Sequence, residues 1–213
     1  MGIKKAVDFL QKISPKDEIV VIYNNDGDGI SSCSVLNKFL ERSGLKKSYI
    51  IAQPMPMDKN IVQRVKTTVP DKIIFLDMAA DQQTGILKQL GGICEMMIVD
   101  HHQVFKDMNS SRIVHYNPRM DDKEIYQSTS YCIYKICSKI TNMEDVLWIA
   151  GVGMVSDYAL GDSKDLVKQI REKYDVDEKL YDTKLGRIAD MISSTSATKV
   201  LSCDQMVEVL SEA

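Results

Sequence analysis

Five short apolar runs, spaced along residues 19–116, constrain the fold more than any other feature of the chain. Each run is apolar and mostly β-branched, and a segment with the apolar periodicity of a helix separates most of them. Strands that alternate with helices imply parallel pairing, because a parallel pair needs a crossover connection. The sequence therefore predicts an α/β fold with a mostly parallel five-stranded sheet and helices on both faces. The predicted strands are Ile19–Tyr23, Tyr49–Ala52, Lys72–Asp77, Met96–Val99 and Arg112–Tyr116.

Amphipathic segments predict the helices. Those of the first half are expected at residues 3–12, 30–42, 58–65 and 81–90, the last with Asp81 as its N-cap. After Ser128 the chain becomes helical, with helices at 131–140 and 144–155 and more polar ones from 166 to 213. We therefore expect an α/β domain at residues 1–165 and a helical extension at 166–213.

Acidic and histidine side chains follow three of the predicted strands. In an open parallel sheet, ligands bind just beyond the carboxyl ends of the strands, so these side chains can converge at one edge. One further acid follows the helix predicted at 144–155. The residues concerned are Asp26 and Asp28 after the first strand, Asp77 after the third, Asp100, His101 and His102 after the fourth, and Asp157 after the helix.

Such a gathering of carboxylates indicates bound cations. Two carboxylates 4 Å apart repel each other by roughly 4 kcal/mol at an effective dielectric constant of about 20. Carboxylates mixed with imidazole suit Mn²⁺, Fe²⁺ or Zn²⁺ better than Ca²⁺. Solvated turns and a hydrogen-bonded polar strand end would explain any one of these residues. They do not explain why acids recur at three strand ends, one of which carries two of the three histidines in the chain.

Two other phosphate or metal motifs are excluded. The run from Asn24 to Gly29 fits the opening of an EF-hand loop, but the twelfth position, which requires a bidentate Glu, is Val35. A glycine-rich phosphate loop would need a following Gly-Lys-Ser/Thr, which is absent.

Composition and charge leave the class of partner open. The net charge of -3 provides no global basic surface for nucleic acid, although a local groove can be hidden in a neutral total. The five cysteines form no C-x-x-C pair and are typical of thiols in a reducing compartment. No apolar run is long enough to span a membrane, and the N-terminus lacks the apolar core of a signal peptide. We expect a cytoplasmic protein without a membrane partner.

Four segments resemble the motifs of the DHH phosphoesterases, in order and at similar spacing. The resemblance covers roughly residues 17–165 and is closest to the RecJ-type single-strand exonucleases and their archaeal relatives, some of which associate with the GINS replication complex. The Ser128–Tyr131 segment also resembles the start of the family's next helix. The four motif segments are Asp26–Gly29, Ile74–Asp77, Asp100–His102 and Gly151–Asp157.

The resemblance implies a role for each motif residue. Two Mn²⁺ or Mg²⁺ ions would be bound, Asp26 ligating the first and Asp28 the second, with Asp77 bridging both. His101 and Asp157 would complete the second site. His102 would face the scissile phosphate, together with Asn24 as a substrate contact, and Asp100 would orient a histidine.

Two departures from the family pattern affect these expectations. RecJ-like sequences carry an acid or a histidine at or just before the position of Asn24, so the first metal site should be weaker here. Active family members also carry a C-terminal domain with a glycine-rich, histidine-containing motif that grips the substrate, and residues 166–213 do not match it. We expect the chain to be part of a longer protein.

Three functions remain open. The first is a metal-dependent phosphoesterase, an exonuclease on single-stranded DNA or RNA that acts in replication or repair. The second is a replication-associated scaffold of the same fold that binds a GINS-like complex. The third is a phosphodiesterase for a small molecule such as a cyclic dinucleotide. Basic residues along a groove would favour the polymer, whereas a closed pocket would favour the small molecule.

Overall fold

A five-stranded sheet, parallel throughout, lies at the centre of the computed structural model, which describes residues 2–176 and 179–213. The spatial order of the strands is β2-β1-β3-β4-β5, so β1, β3 and β4 occupy the middle. The predicted α/β class and parallel sheet are confirmed. The strands are β1 Ile19–Asn24, β2 Tyr49–Gln53, β3 Lys72–Leu76, β4 Glu95–Val99 and β5 Ile113–Tyr116.

Helices cover both faces of the sheet, as predicted. Alternate side chains of β1 enter two different cores, because successive residues of a strand point to opposite faces. Val20 and Ile22 pack with α3 and α4, whereas Val21 and Tyr23 pack with α1, α2, α5 and α6. The helices are α1 Gly2–Gln11, α2 Gly27–Arg42, α3 Ile61–Thr68, α4 Thr84–Leu90, α5 Thr129–Cys137, α6 Leu147–Ser156, α7 Lys164–Tyr174, α8 Lys184–Thr198 and α9 Cys203–Glu212.

The prediction that Asp81 caps a helix is wrong. Asp81 lies in a short 3-10 turn, Ala80–Gln82, and α4 begins only at Thr84. Its carboxylate accepts hydrogen bonds from the backbone N–H groups of Phe105 and Lys106, at 2.6 and 3.0 Å. The side chain therefore anchors a loop from another part of the chain, a tertiary contact that local sequence does not encode.

The helices of the C-terminal segment pack against the core that lies between the sheet and α2. Ile192 of α8 and Val207 of α9 are buried in that core. The hydroxyl of Tyr23, in the central strand β1, donates to Asp204 of α9 at 2.6 Å. Residues 166–213 thus form one packed body with the α/β unit wherever the structure describes them. Of the helices described, none is both long and apolar enough to cross a bilayer.

Candidate metal centre

The loop after β1 presents two carboxylates at the start of α2. Asp26 caps this helix, because its Oδ1 accepts from the backbone N–H of Gly29 at 2.9 Å. Glycine is required at position 29, where a Cβ would lie 2.1 Å from the carbonyl oxygen of Asn24. Asp28 is 1% exposed, and its two oxygens accept from two backbone N–H groups at the start of α5, at 2.6 and 3.0 Å. The N-terminus of α5 therefore holds Asp28 where the helix dipole favours a negative charge.

Asp77 follows β3 in the left-handed conformation, with φ of 63°. Its Oδ1 accepts from the hydroxyl of Thr129 at 3.1 Å and lies 3.1 Å from Nε2 of His101. Its Oδ2 accepts from Nδ2 of Asn24 at 3.3 Å, and the same amide donates to Oδ2 of Asp26 at 2.5 Å. Asn24 is buried and bridges the two carboxylates, so its side chain belongs to the acidic cluster itself.

Asp100 is buried, and its carboxylate is held by backbone N–H groups and by His102. Its Oδ2 accepts from the backbone N–H groups of Met78 and Ala79, at 3.1 and 2.5 Å. Its Oδ1 lies 2.7 Å from Nδ1 of His102 and also accepts from the backbone N–H of that residue at 3.0 Å. Asp100 thereby fixes the orientation of the His102 ring, the contact on which its predicted orienting role depends.

His101 lies between Asp77 and Asp157. Its Nε2 is 3.1 Å from Oδ1 of Asp77 and 3.3 Å from Oδ2 of Asp157. Two overlapping sets of side chains each present three ligand atoms within 4.8 Å of one another, and both sets include His101. The first set is Asp28, His101 and Asp157, and the second is Asp77, His101 and His102. Carboxylate oxygens mixed with imidazole nitrogens fit a transition-metal cation such as Mn²⁺.

The sequence model of the DHH family, N-terminal domain, matches residues 18–159, which contain this whole cluster. The chain belongs to the DHH family. No curated protein sequence matches it.

Solved structures share the fold at low sequence identity. The exonuclease RecJ bound to manganese is 18% identical, with a TM-score of 0.78 over 100% of this chain and 61% of that one. The RecJ of Thermus thermophilus in complex with Mn²⁺ is 19% identical, with a TM-score of 0.72 over 99% of this chain and 34% of that one. The CDC45 of Entamoeba histolytica is 20% identical, with a TM-score of 0.52 over 86% of this chain and 39% of that one. The DHH chain spans less than two thirds of the length of these three proteins.

Three acids of this DHH centre, Asp26, Asp28 and Asp77, resist ionisation in the absence of a cation. Burial raises the pKa of Asp28 to about 6, and it raises the pKa of Asp77 well above its usual value, with repulsion from Asp28 and Asp26 adding to the effect. The pKa of Asp26 is also raised, chiefly by burial. Burial opposes ionisation of Asp100 as well, but its hydrogen bond and attraction to His102 outweigh this and lower the pKa of Asp100 to about 2. The same hydrogen bond outweighs burial at His102, whose pKa is raised.

The structure brings the predicted residues of the DHH motifs to one edge of the sheet. Asp28, Asp77, His101, His102 and Asp157 contribute to the two ligand sets. Asp26 is in neither set, although it is linked to Asp77 through Asn24.

Tyr126 is a neighbour of the centre that sequence reasoning missed. Its hydroxyl donates to Oδ2 of Asp157 at 2.9 Å, and its ring centroid lies 5.3 Å from that of His101. Tyr126 lies in a loop between motifs and belongs to neither an apolar run nor a strand end, so nothing in the sequence indicated it. Thr129, which donates to Asp77, was weakly indicated by the sequence, because it lies in the Ser128–Tyr131 segment that resembles the start of a family helix.

Proposed function

We propose that this chain is a divalent-metal-dependent phosphoesterase that hydrolyses phosphodiester bonds of single-stranded DNA or RNA. The observation that carries the proposal is the pair of ligand sets that share His101 at the carboxyl ends of β3 and β4. A family scaffold without activity would have no physical reason to bury the three carboxylates of Asp28, Asp77 and Asp100 beside two histidines, since burial and mutual repulsion of carboxylates oppose folding.

Two Mn²⁺ or Mg²⁺ ions held there would activate water and neutralise the charge that develops on the phosphate. The proposed ligands are Asp28, His101 and Asp157 for one ion, and Asp26 for the other, with Asp77 shared between them. The binding of manganese stated for the RecJ structure supports Mn²⁺ as the first ion to try.

The protein's own side chains hold this arrangement rigid. The hydroxyls of Thr129 and Tyr126 donate to Asp77 and Asp157, which fixes both carboxylates. Asp100 holds His102 through Nδ1, so Nε2 remains free, and in the imidazolium form it can donate to a phosphate oxygen. His102 is partly exposed, whereas His101 is buried, and this supports the division of roles between ligand and substrate contact.

A polymeric substrate is supported by the surface beside the centre. An open groove of about 610 Å³ begins directly after the Asp100–His102 segment, and its lining includes the cationic side chains of Arg119 and Lys123 together with the acids Asp107 and Glu124. An open groove with basic residues suits a strand that passes across the centre, whereas a small molecule would be better enclosed.

A replication-associated scaffold that binds a GINS-like complex is the alternative. The fold likeness to CDC45 is the observation in its favour. The two functions predict different behaviour toward metal, because a scaffold does not need the carboxylates to be ionised around a cation.

The experiment is Mn²⁺-dependent degradation of end-labelled single-stranded DNA and RNA, with Asp77→Asn as the test variant. Asp77 contacts both Asn24 and His101. Loss of a residue that only orients a metal ligand can lower activity by roughly 100-fold, and we expect Asp77→Asn to reduce the rate by more than that.

The matched control is Asp71→Asn. Asp71 is exposed just before β3, at the opposite end of the strand from Asp77. Its carboxylate accepts a hydrogen bond from the backbone N–H of Glu18. We expect this variant to retain the parental rate. Equal rates for Asp77→Asn and the parent would overturn the proposed site. If the parent neither hydrolyses the strands nor binds Mn²⁺, the phosphoesterase function is wrong and the replication-associated scaffold is the remaining function.

A further inference from the structure

Arg119 is a cation held close to the metal centre without a charged partner. Its guanidinium carbon lies 5.6 Å from the ring centroid of Tyr126, and its Nη1 donates to the carbonyl oxygen of Lys123 at 3.3 Å. Its Nε is buried and forms no hydrogen bond with any described residue. The guanidinium is also outside all the ion pairs that the described residues form. The half-buried guanidinium is therefore a cation that no carboxylate of the described residues neutralises, and its remaining N–H groups are suited to a charge-assisted hydrogen bond with an anion.

Two separate connections fix Arg119 relative to the centre. Tyr126 lies between Arg119 and the metal ligands, since its ring contacts His101 and its hydroxyl donates to Asp157. Asn117 makes the second connection, because its Nδ2 donates to the carbonyl oxygen of His102 at 2.9 Å and its Oδ1 accepts from the backbone N–H of Arg119 at 2.9 Å. Tyr126 thus connects Arg119 to His101, and Asn117 connects it to His102. The side chain of Arg119 forms part of the groove lining.

The groove contains two cations, Arg119 and Lys123, and two acids, Asp107 and Glu124. Asp107 is already an acceptor for the backbone N–H and the side-chain amide of Asn109, at 2.8 and 2.7 Å. Glu124 is exposed, and Lys123 is a second cation at the same wall. Some lysines elsewhere are paired at the surface, for example Lys47 with Glu208 at 2.9 Å.

We infer that Arg119 binds a phosphate of the substrate strand adjacent to the phosphate at the metal centre. The inference rests on the proposed function and adds the ligand class of the groove, a second phosphodiester of the same chain. A planar guanidinium fits a phosphate through two parallel N–H donors, a geometry that lysine does not reproduce. The arrangement also explains why Arg119 is packed against a ring that contacts the centre, since the two phosphates must be held in a set relation.

The test compares Arg119→Gln with the parent on two substrates. One is a single-stranded oligonucleotide, and the other is bis(p-nitrophenyl) phosphate, which has one phosphodiester and no neighbouring phosphate. We expect Arg119→Gln to lower kcat/KM by about 10-fold on the oligonucleotide, as loss of one charge-assisted contact should, and by less than about twofold on the small ester. Equal losses on both substrates, or no loss on either, would overturn the inference.

Binding provides a second readout that does not depend on activity. The affinity of a fluorescent single-stranded oligonucleotide is measured in EDTA at several salt concentrations, and Arg119→Gln should reduce the slope of log K against log salt by about 0.7, the value for one phosphate contact. Arg119→Lys should keep the slope and lose part of the affinity. An unchanged slope in Arg119→Gln contradicts the inference.

Arg64→Gln is the matched control, because Arg64 is exposed on α3 and is not part of the groove lining. It should match the parent in both assays. If the parent fails to cleave either substrate, the proposed function is wrong, and the salt slopes still decide whether Arg119 binds a phosphate.

Discussion

The three histidines of the chain differ in what surrounds them. His101 and His102 face carboxylates at the sheet edge, whereas His115 lies in β5 with 1% of its surface exposed. Its Nδ1 accepts from the backbone N–H of Met108 at 3.4 Å, and its Nε2 has no hydrogen-bond partner among the described residues. Burial lowers the pKa of His115, although the charges of Asp81, Asp100 and Asp107 oppose this. His115 is therefore a neutral core residue.

The lowered pKa of His115 predicts a loss of stability in mild acid. The unfolded chain takes up this proton near the ordinary value of 6.5, and the folded protein does so only at lower pH. Between these values His115 binds more protons in the unfolded state, so its contribution to the free energy of unfolding should fall as the pH falls below about 6.5. The raised pKa values of Asp28, Asp77 and His102 contribute in the opposite direction, so the effect of His115 is measured against a variant. Urea denaturation at several pH values would measure this.

His115→Gln is the comparison for that measurement, because the amide keeps an acceptor but does not titrate. As the pH falls, the parent should lose stability relative to this variant. A difference that stays constant across the range would show that His115 does not titrate differently in the two states.

At the scale of elements, the centre depends on the close approach of three helices. Asp28 lies at the start of α2, is held by the N-terminus of α5, and faces α6 at Gly153. A Cβ at position 153 would lie 2.3 Å from Oγ of Ser130 and 2.8 Å from Oδ1 of Asp28. The motif glycine at this position thus allows α6 to pack directly on the carboxylate of Asp28.

Gly153→Ala should therefore both destabilise the fold and displace Asp28. We expect a loss of roughly 1–3 kcal/mol in the free energy of unfolding, typical of overpacking a buried contact, together with weaker Mn²⁺ binding. Thermal denaturation with and without Mn²⁺ would measure both effects.

Gly85→Ala is the control, because Gly85 lies in α4 and has no atom within 4 Å of a Cβ placed there. Alanine is the better helix former, so this variant should be as stable as the parent or slightly more stable. Equal effects of the two substitutions would contradict the role given to Gly153.

Helix boundaries were harder to predict than strands, for a physical reason that two acids illustrate. The apolar run of β1 is recognisable because all its side chains are buried. The sequence predicts that α2 begins at Ile30, but it begins at Gly27, because the carboxylate of Asp26 caps it. Asp81 has the same residue type and a similar position after a strand, yet it anchors a distant loop. Local sequence does not distinguish a cap from a tertiary anchor.

At the scale of the whole molecule, the strand ends could be predicted and the partners across the chain could not. Asp28, Asp77 and the two histidines were placed together because parallel strands end at one edge. Tyr126 reaches Asp157 across 31 residues of sequence, and Arg119 reaches the centre through that tyrosine, so neither position has a periodic signal.

The C-terminal helices show the same limit at larger scale. Their amphipathic pattern predicted helices, but only the structure shows that α8 and α9 bury side chains in the core of the α2 side. The division of the chain at residue 165 stays a prediction. The hydrogen bond between Tyr23 and Asp204 links α9 to β1, the strand that precedes Asp26 and Asp28.

Direct titration of the protein with Mn²⁺ by calorimetry tests whether the acids and histidines at the strand ends form a metal centre. We predict two bound ions of unequal affinity, because Asn24 is neutral and lies between Asp26 and Asp77. Asn24→Asp should tighten the weaker ion, and Asp77→Asn should weaken both. A parent protein that binds no Mn²⁺, or an Asp77→Asn variant that binds it like the parent, would contradict the account.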